Sequence, residues 1–381
     1  NAIEGRPSIK DINRTYGTVF AQYKILPELV GNIKIGADIN TAELNSYITR
    51  QTILGDNFDG IAVQNNANRM NTLAEYTMTY DKTFGNTNLN LLGGVTWQRF
   101  VSKSNNMRVT GFPTDETLYY SMGLGDGELD EISSGYGAYS LLSYIGRANY
   151  VIGDKYLLTA TIRADGSSRF GENNKFGYFP SAAVAWRLNN EDFISDLDIF
   201  SNLKLRLSWG MTGNQEIGNY SSLATFRLAG TPVTFSNSAI TTLVPARLPN
   251  PDLRWEQTEE YNIGLDVGVL DGRLSGSIDY FNKRTHDLLF SRPIPRNSGF
   301  TSMLDNIGSV KNTGFEFLVE SRNITGTFAW TTTFNLAYVK NEVLDLGPVD
   351  EIIHGSVGTT SQIGIIREGK IAGSTSGVPG K

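Results

Sequence analysis

The sequence predicts an all-β fold, with long antiparallel strands joined up and down into a partial barrel of about 12 strands. Three observations carry that expectation. Apolar and polar residues alternate with period two over stretches of about 9–15 residues, long beside the usual strand of about 5–6. Short links alternate with long ones along the chain. No apolar run reaches the roughly 18 residues that mark a transmembrane helix, and residues 190–199 are the one stretch with helical spacing.

The hairpin over residues 143–166 is the clearest element. From Tyr156 the even positions are Tyr156, Leu158, Ala160, Ile162 and Ala164, while Thr159, Thr161, Arg163 and Asp165 lie between them. Side chains alternate across a strand, so one face is apolar and the other polar or charged. The preceding run sets Tyr144, Gly146, Ala148, Tyr150 and Ile152 against Ser143, Arg147 and Asn149. The turn Gly153-Asp154-Lys155 keeps both apolar sets on one side, with Ile145, Val151 and Leu157 as exceptions.

Strands are expected at 14–26, 29–43, 69–81, 87–101, 141–152, 156–166, 178–188, 203–211, 257–269, 274–284, 306–322 and 327–341. Leu203, Leu205, Leu207 and Trp209 oppose Lys204, Arg206 and Ser208. Tyr261, Ile263, Leu265, Val267 and Val269 oppose Glu260, Asn262 and Asp266. Phe328, Trp330, Phe334, Leu336 and Tyr338 share a face with Thr332. One turn tests itself. Apolar residues are odd-numbered before Asp271-Gly272 and even-numbered after it, so pairing Val269 with Leu274 puts both sets on one face. Asp-Gly is also the dipeptide a type I′ turn prefers, because both central residues need positive φ. Short links fall near Pro27, Phe84, Gly153, Asp271 and Ile324, with a medium one at 189–202. Long links fall at 44–68, 102–140, 167–177, 212–256 and 285–305. Short turns at one rim and long loops at the other are the habit of outer-membrane barrels.

A dozen long strands with one continuous apolar face need either a second sheet or lipid to cover it. The strand length suits tilted membrane strands of about 9–11 residues across the hydrocarbon. Arg147, Arg163, Arg187, Lys204 and Arg206 all fall on the polar face, as expected if an arginine or lysine on the lipid side costs roughly 2–4 kcal/mol. A soluble β-sandwich or propeller module is the competing fold, and it requires the apolar face to be buried under protein.

Composition excludes several functions. The chain of 381 residues has no cysteine, so disulfides, thiolate catalysis and cysteine metal sites are out. Its net charge of -6 argues against a nucleic-acid partner. The 40 glycines, 17 tyrosines and 19 phenylalanines fit loops and aromatic girdles. The two histidines, His286 and His354, fall in expected loops with no triad geometry around them. Ser374-Thr-Ser-Gly is not a nucleophile elbow, and Gly123-Leu-Gly-Asp-Gly is neither a phosphate loop nor a dinucleotide fingerprint. No catalytic residue, enzyme activity or resident cofactor is expected. Two acidic loops have oxygen ligands that suit Ca²⁺: Asp126, Glu128, Asp130 and Glu131, and Asp56, Asn57 and Asp59. A solvated loop is the simpler expectation for each. Asn1-Ala2-Ile3-Glu4 lacks a targeting signal, and the expectation is an internal piece of a longer protein.

A set of ordered motifs is specific. Ser143-Tyr-Ile-Gly-Arg-Ala-Asn-Tyr is followed by Asp154-Lys-Tyr-Leu-Leu-Thr-Ala-Thr-Ile-Arg-Ala-Asp-Gly-Ser-Ser-Arg-Phe-Gly and Gly177-Tyr-Phe-Pro-Ser-Ala-Ala-Val-Ala-Trp-Arg. Later come Leu203-Lys-Leu-Arg-Leu-Ser-Trp-Gly-Met-Thr-Gly-Asn, Asn250-Pro-Asp-Leu-Arg-Trp-Glu, Asn262-Ile-Gly-Leu-Asp, Gly276-Ser-Ile-Asp-Tyr-Phe-Asn-Lys and Asn306-Ile-Gly-Ser-Val-Lys-Asn-Thr-Gly-Phe-Glu. In this order the segments resemble the SusC/RagA family of TonB-dependent outer-membrane transporters. The resemblance implies a barrel filled by an N-terminal plug, in the outer membrane of a Gram-negative bacterium of the Bacteroidota type. It implies a SusD-like surface lipoprotein as partner, TonB acting through an N-terminal region, and import of oligosaccharides or peptides. A passive porin or adhesin would use the same wall without plug or TonB box. No plug, TonB box or terminal aromatic strand is seen in residues 1–381, so a middle-to-late piece of the barrel domain is expected.

Within that family frame, Arg147, Arg163, Asp165, Arg187 and Arg206 are the candidates for a face toward the lumen or the plug. Docking against the plug is the favoured role, with Arg169 expected to pair with Asp165 and Gly166 and Gly171 to allow a tight reversal. Tyr178, Phe179 and Trp255 are the loop aromatics that could stack on a substrate's sugar rings, while interfacial girdle or loop packing is the more common use of such residues.

Overall fold

A computed structural model describes residues 5–126, 131–229, 233–235, 238–240, 242–348, 351–354 and 364–369. Asn1-Ala2-Ile3-Glu4, Glu128, Asp130, the Ser374-Thr-Ser-Gly run and the closing Gly380-Lys381 lie outside the described residues. Twelve strands make the main sheet. They are β1 (Ser8–Leu26), β2 (Leu29–Ile48), β3 (Ile61–Phe84), β4 (Thr87–Thr110), β5 (Glu131–Ile152) and β6 (Tyr156–Ser167). Then follow β7 (Phe176–Arg187), β8 (Phe200–Asn214), β9 (Glu256–Val269), β10 (Leu274–His286), β11 (Ser309–Ile324) and β12 (Trp330–Asp345). Their order in the sheet follows the chain, each strand beside its sequence neighbour, as up-and-down connection requires.

Several strands outrun the expectation. β3 and β4 have 24 residues each, because pairing continues past the stretch where an apolar face is needed and alternation marks the strand. The stretch at 190–199 gives only a 3₁₀ turn, Leu188–Asn190, and one α-turn, Asp192–Ser195. The strand expected at 306–322 is β11, which begins at Ser309 after Gly308 takes a φ of +83°; Asn306 instead ends a short strand, Ser302–Asn306, that pairs with Leu289–Pro293 inside the long link.

The two diagnostic turns form as their sequences dictate. Gly153-Asp154-Lys155 joins β5 to β6, with φ +57° at Gly153 and +53° at Asp154. Val269 pairs with Leu274, and Asp271 and Gly272 adopt φ +54° and +76°, the left-handed pair a type I′ turn needs. Leu270 adds a third positive φ of +56°, a strained position that periodicity could not reveal.

By its contacts the chain has two compact units, described separately. The first comprises Asn1–Tyr23, Asn32–Tyr76 and Thr96–Leu142, and the second Lys24–Gly31, Thr77–Val95 and Ser143–Lys381. In the first, Tyr47, Ala62, Val109, Phe112 and Tyr119 form a buried cluster. The Tyr47 and Phe112 rings meet edge-on at 5.4 Å, and the Tyr47 hydroxyl donates to Asp115 Oδ1 at 2.9 Å. Phe112 N donates to Asp59 O at 2.7 Å, which ties the link after β2 to the link after β4.

In the second unit the two faces separate as expected, and the apolar one is uncovered. A single register row crosses seven strands: Leu158, Val184, Leu207, Ile263, Tyr280, Phe315 and Tyr338. Leu158 is 37% exposed, Leu207 46% and Phe315 55%. A sandwich would have buried this row under a second sheet; no such layer is found among the described residues. Large apolar side chains left open over neighbouring strands mark a face that a membrane or a partner covers.

Candidate functional site

The polar face of β8–β10 carries a cluster of ion-paired side chains. Arg206 Nε donates to both Asp266 oxygens at 3.1 Å, and its Nη2 donates to Asp266 Oδ1 at 2.8 Å and to Asp279 Oδ2 at 3.0 Å. Lys204 Nζ lies 2.8 Å from Asp266 Oδ2. Asp279 stands two strands away from Arg206, and the residue between them is Gly264, paired with both. A Cβ at Gly264 would lie 2.7 Å from Arg206 Nη2 and closer still to Asp279 Oδ1. The missing side chain is what lets the guanidinium cross β9. Two cations and two carboxylates thus hold one another in fixed, half-buried positions. Such a patch can hydrogen-bond a polar solute or a docking segment.

The other candidates on the polar face separate into different roles. Arg163 Nε donates to Asp165 at 2.8 Å, and its Nη2 donates to Ser143 Oγ at 3.1 Å. Asp165 therefore pairs with Arg163 on its own strand, not with Arg169. Arg187 reaches Asp154 in the β5–β6 turn, so it belongs to the short-link rim and not to the middle of the inward face. Arg147 is exposed on the polar face of β5, and among the described residues no carboxylate forms a salt bridge with it.

The long-link end holds a second, buried assembly. Phe170 is 2% exposed and packs on Trp255 at a centroid distance of 4.9 Å; Phe179 meets the same indole edge-on at 5.4 Å. Trp255 Nε1 donates to Lys175 O at 3.0 Å. Arg169 donates to Asn219 Oδ1 at 3.1 Å and Gln215 O at 3.0 Å, while Asn173 Nδ2 donates to Asp252 Oδ1 at 2.8 Å. The link after β6 is thereby fastened to both ends of the link between β8 and β9. Gly166 and Gly171 serve close approach and not reversal: neither has a positive φ, and a Cβ would strike the Phe176 ring at the first and the Pro251 carbonyl at the second. Phe179 and Trp255, with 6% and 4% exposure, offer no open ring face to a solute. Tyr178 is exposed and shares the outward face with Val184.

Among the described residues no group of three or more His, Asp or Glu is placed to hold a metal ion. His286 ends β10 instead of lying in a loop, and its Nε2 is 3.2 Å from Gln257 Oε1. Asp266, Asp279 and Gly264 were not singled out by sequence. Parity alone places both carboxylates on the polar face, and the Asp271-Gly272 turn sets Gly264 opposite Asp279. The step across to Arg206 had no such local signal.

A sheet of long, sequentially ordered strands, open to hydrocarbon on one face and ion-paired on the other, defines a membrane β-barrel wall. The chain matches the family "TonB dependent receptor-like, beta-barrel" over residues 11–361, and it belongs to that family, whose members are outer-membrane proteins of Gram-negative bacteria. It is 35% identical over 359 residues to TonB-dependent receptor P3 of Formosa agariphila, covering 93% of this chain and 36% of that protein. It is 33% identical over 358 residues to TonB-dependent receptor SusC of Bacteroides thetaiotaomicron, covering 92% and 35%. The chain therefore spans about a third of those relatives' length. Among solved structures, the RagAB peptide transporter matches with a TM-score of 0.88 and 25% identity, over 98% of this chain and 40% of the other.

Proposed function

We propose that the chain is part of the wall of a TonB-dependent importer in the outer membrane of a Bacteroidota-type bacterium. It works with a SusD-like surface lipoprotein and takes up oligosaccharides or peptides. The observation that carries this is the seven-strand apolar row open on one face with the Arg206–Asp266–Asp279 cluster on the other, in a chain related to SusC and similar to RagAB. In this role Arg147, Arg163, Asp165 and Arg206 form a hydrophilic lining against which a plug domain docks. The buried Phe170–Trp255 assembly holds the outer loops where a lid partner closes.

The test is uptake by cells carrying the full-length receptor. Fluorescent oligopeptides and oligosaccharides are supplied with and without a proton-motive force. Import of one class that stops on de-energising supports the proposal, as does co-purification of a surface lipoprotein. Uptake that continues without energy describes a passive pore and overturns it.

A further inference from the structure

The link between β7 and β8 is the longest at the short-link rim, and it is built differently from the tight turns beside it. Its first carboxylate, Glu191, accepts three hydrogen bonds: from Lys155 Nζ and Tyr156 Oη at 2.8 Å and from Trp186 Nε1 at 2.9 Å. Tyr156 and Trp186 are a cross-strand pair whose rings stack at 6.1 Å. Both have the parity of Leu158 and Val184, the apolar outward face. Glu191 is thus bonded to side chains of the outward face at the rim, and residues 192–199 follow it directly in the chain. Asn190 Nδ2 to Asp154 O at 2.9 Å and Leu203 N to Asn189 Oδ1 at 3.1 Å fix the link to its neighbours on both flanks.

The segment so placed presents bare apolar side chains. Phe193 is 61% exposed, Leu197 52% and Ile199 55%, in a stretch whose other residues are Asp192, the half-buried Ile194, Ser195, Asp196 and Asp198. A short turn in water gains nothing from three open apolar side chains. We infer that residues 192–199 are an interfacial anchor, with Phe193, Leu197 and Ile199 inserted at the headgroup boundary of the periplasmic leaflet, beneath a girdle made by Tyr156 and Trp186.

The occupant follows from continuity and charge. The anchor continues the apolar face just argued to contact hydrocarbon, and Tyr and Trp belong at the level where acyl chains give way to headgroups. Short amphipathic segments bury their apolar side about 5–10 Å into that boundary. Asp192, Asp196 and Asp198 then remain in the headgroup layer, where ammonium groups of zwitterionic phospholipids meet them. The inference rests on the membrane assignment proposed above, and its test separates the two.

These 381 residues hold no cysteine, and any cysteine elsewhere in the full-length receptor is replaced by serine so that each label is single. The full-length receptor is reconstituted into nanodiscs of phosphatidylethanolamine and phosphatidylglycerol, with a nitroxide at Phe193→Cys, Leu197→Cys, Asp196→Cys or Ile162→Cys. Collision with oxygen and with a water-soluble nickel chelate is measured by power saturation, after heat-modifiable migration confirms folding of each variant. The expected oxygen-to-nickel ratio is severalfold higher at 193 and 197 than at 196, and highest at 162. Water-like ratios at 193 and 197 with a lipid-like ratio at 162 overturn the anchor and leave the membrane wall standing. Poor access to both reagents at 193 and 197 means a protein segment covers them, which also overturns it. A water-like ratio at 162 overturns both.

Discussion

Gly264→Ala is the substitution that best separates register from contact. Alanine is ordinarily tolerated in a strand and gains roughly 0.4–1 kcal/mol by narrowing the unfolded ensemble. Here its methyl would occupy the path of the Arg206 guanidinium, 2.7 Å from Nη2. The bond to Asp279 at 3.0 Å would be lost, while the fork onto Asp266 would survive. A hydrogen bond between charged groups contributes about 1.5–3 kcal/mol. Arg206 is 33% exposed at its side chain, so screening places the loss at the lower end, about 1.5–2 kcal/mol. Asp279→Asn should cost a similar amount, since it weakens the same bond. The double variant should then cost little more than either single one, a coupling of about 1–2 kcal/mol. The assay is denaturant unfolding of the full-length receptor in detergent micelles, followed by heat-modifiable migration. Additive losses, or an Asp279→Asn effect unchanged by Gly264→Ala, would refute the proposed crossing of β9.

Ile162→Arg should destabilise insertion by roughly 2–4 kcal/mol, while Thr161→Arg on the adjacent inward position should be nearly neutral; refolding into lipid vesicles measures both. Phe170→Ala should cost about 3–5 kcal/mol locally and free the link over 168–175, read as faster proteolytic cleavage there with the strands still protected. Glu191 is held down to about 2 from an ordinary 4.5 by its bonds to Lys155, Trp186 and Tyr156. A depressed carboxylate stabilises the native state fully above its unfolded value, and that stabilisation fades as pH falls toward the folded one. The difference in melting temperature between native protein and Glu191→Gln should therefore be flat above about pH 5 and shrink from there toward pH 2.

Much of the wall was legible because its signals are local. Alternation along β6 follows from the geometry of one extended chain, and it places Leu158 and Ile162 on the open apolar face and Arg163 and Asp165 on the opposite, polar one. The Asp271-Gly272 turn set the β9–β10 register, because a two-residue loop leaves one pairing that keeps both apolar sets together. The candidate site was less legible. Arg187 has inward parity, yet its long side chain bends to Asp154 at the rim, since the nearest carboxylate and not parity decides where a guanidinium ends. Residue type leaves Trp255 and Phe179 a choice between stacking on a solute and packing within the loops, and the structure packs Trp255 against both Phe170 and Phe179. That outcome depends on two links folding onto each other over the end of β7.

Sequence alone located the twelve wall strands, their order and the parity of their two faces, because steric alternation and tight turns act over a few residues. Tertiary structure alone decided that Arg206 meets Asp279 across Gly264 and that Phe170 closes on Trp255. The β8–β9 register is set across the long link at 215–255, where chain entropy leaves many closures open and only the sum of paired backbone bonds and packed side chains selects one.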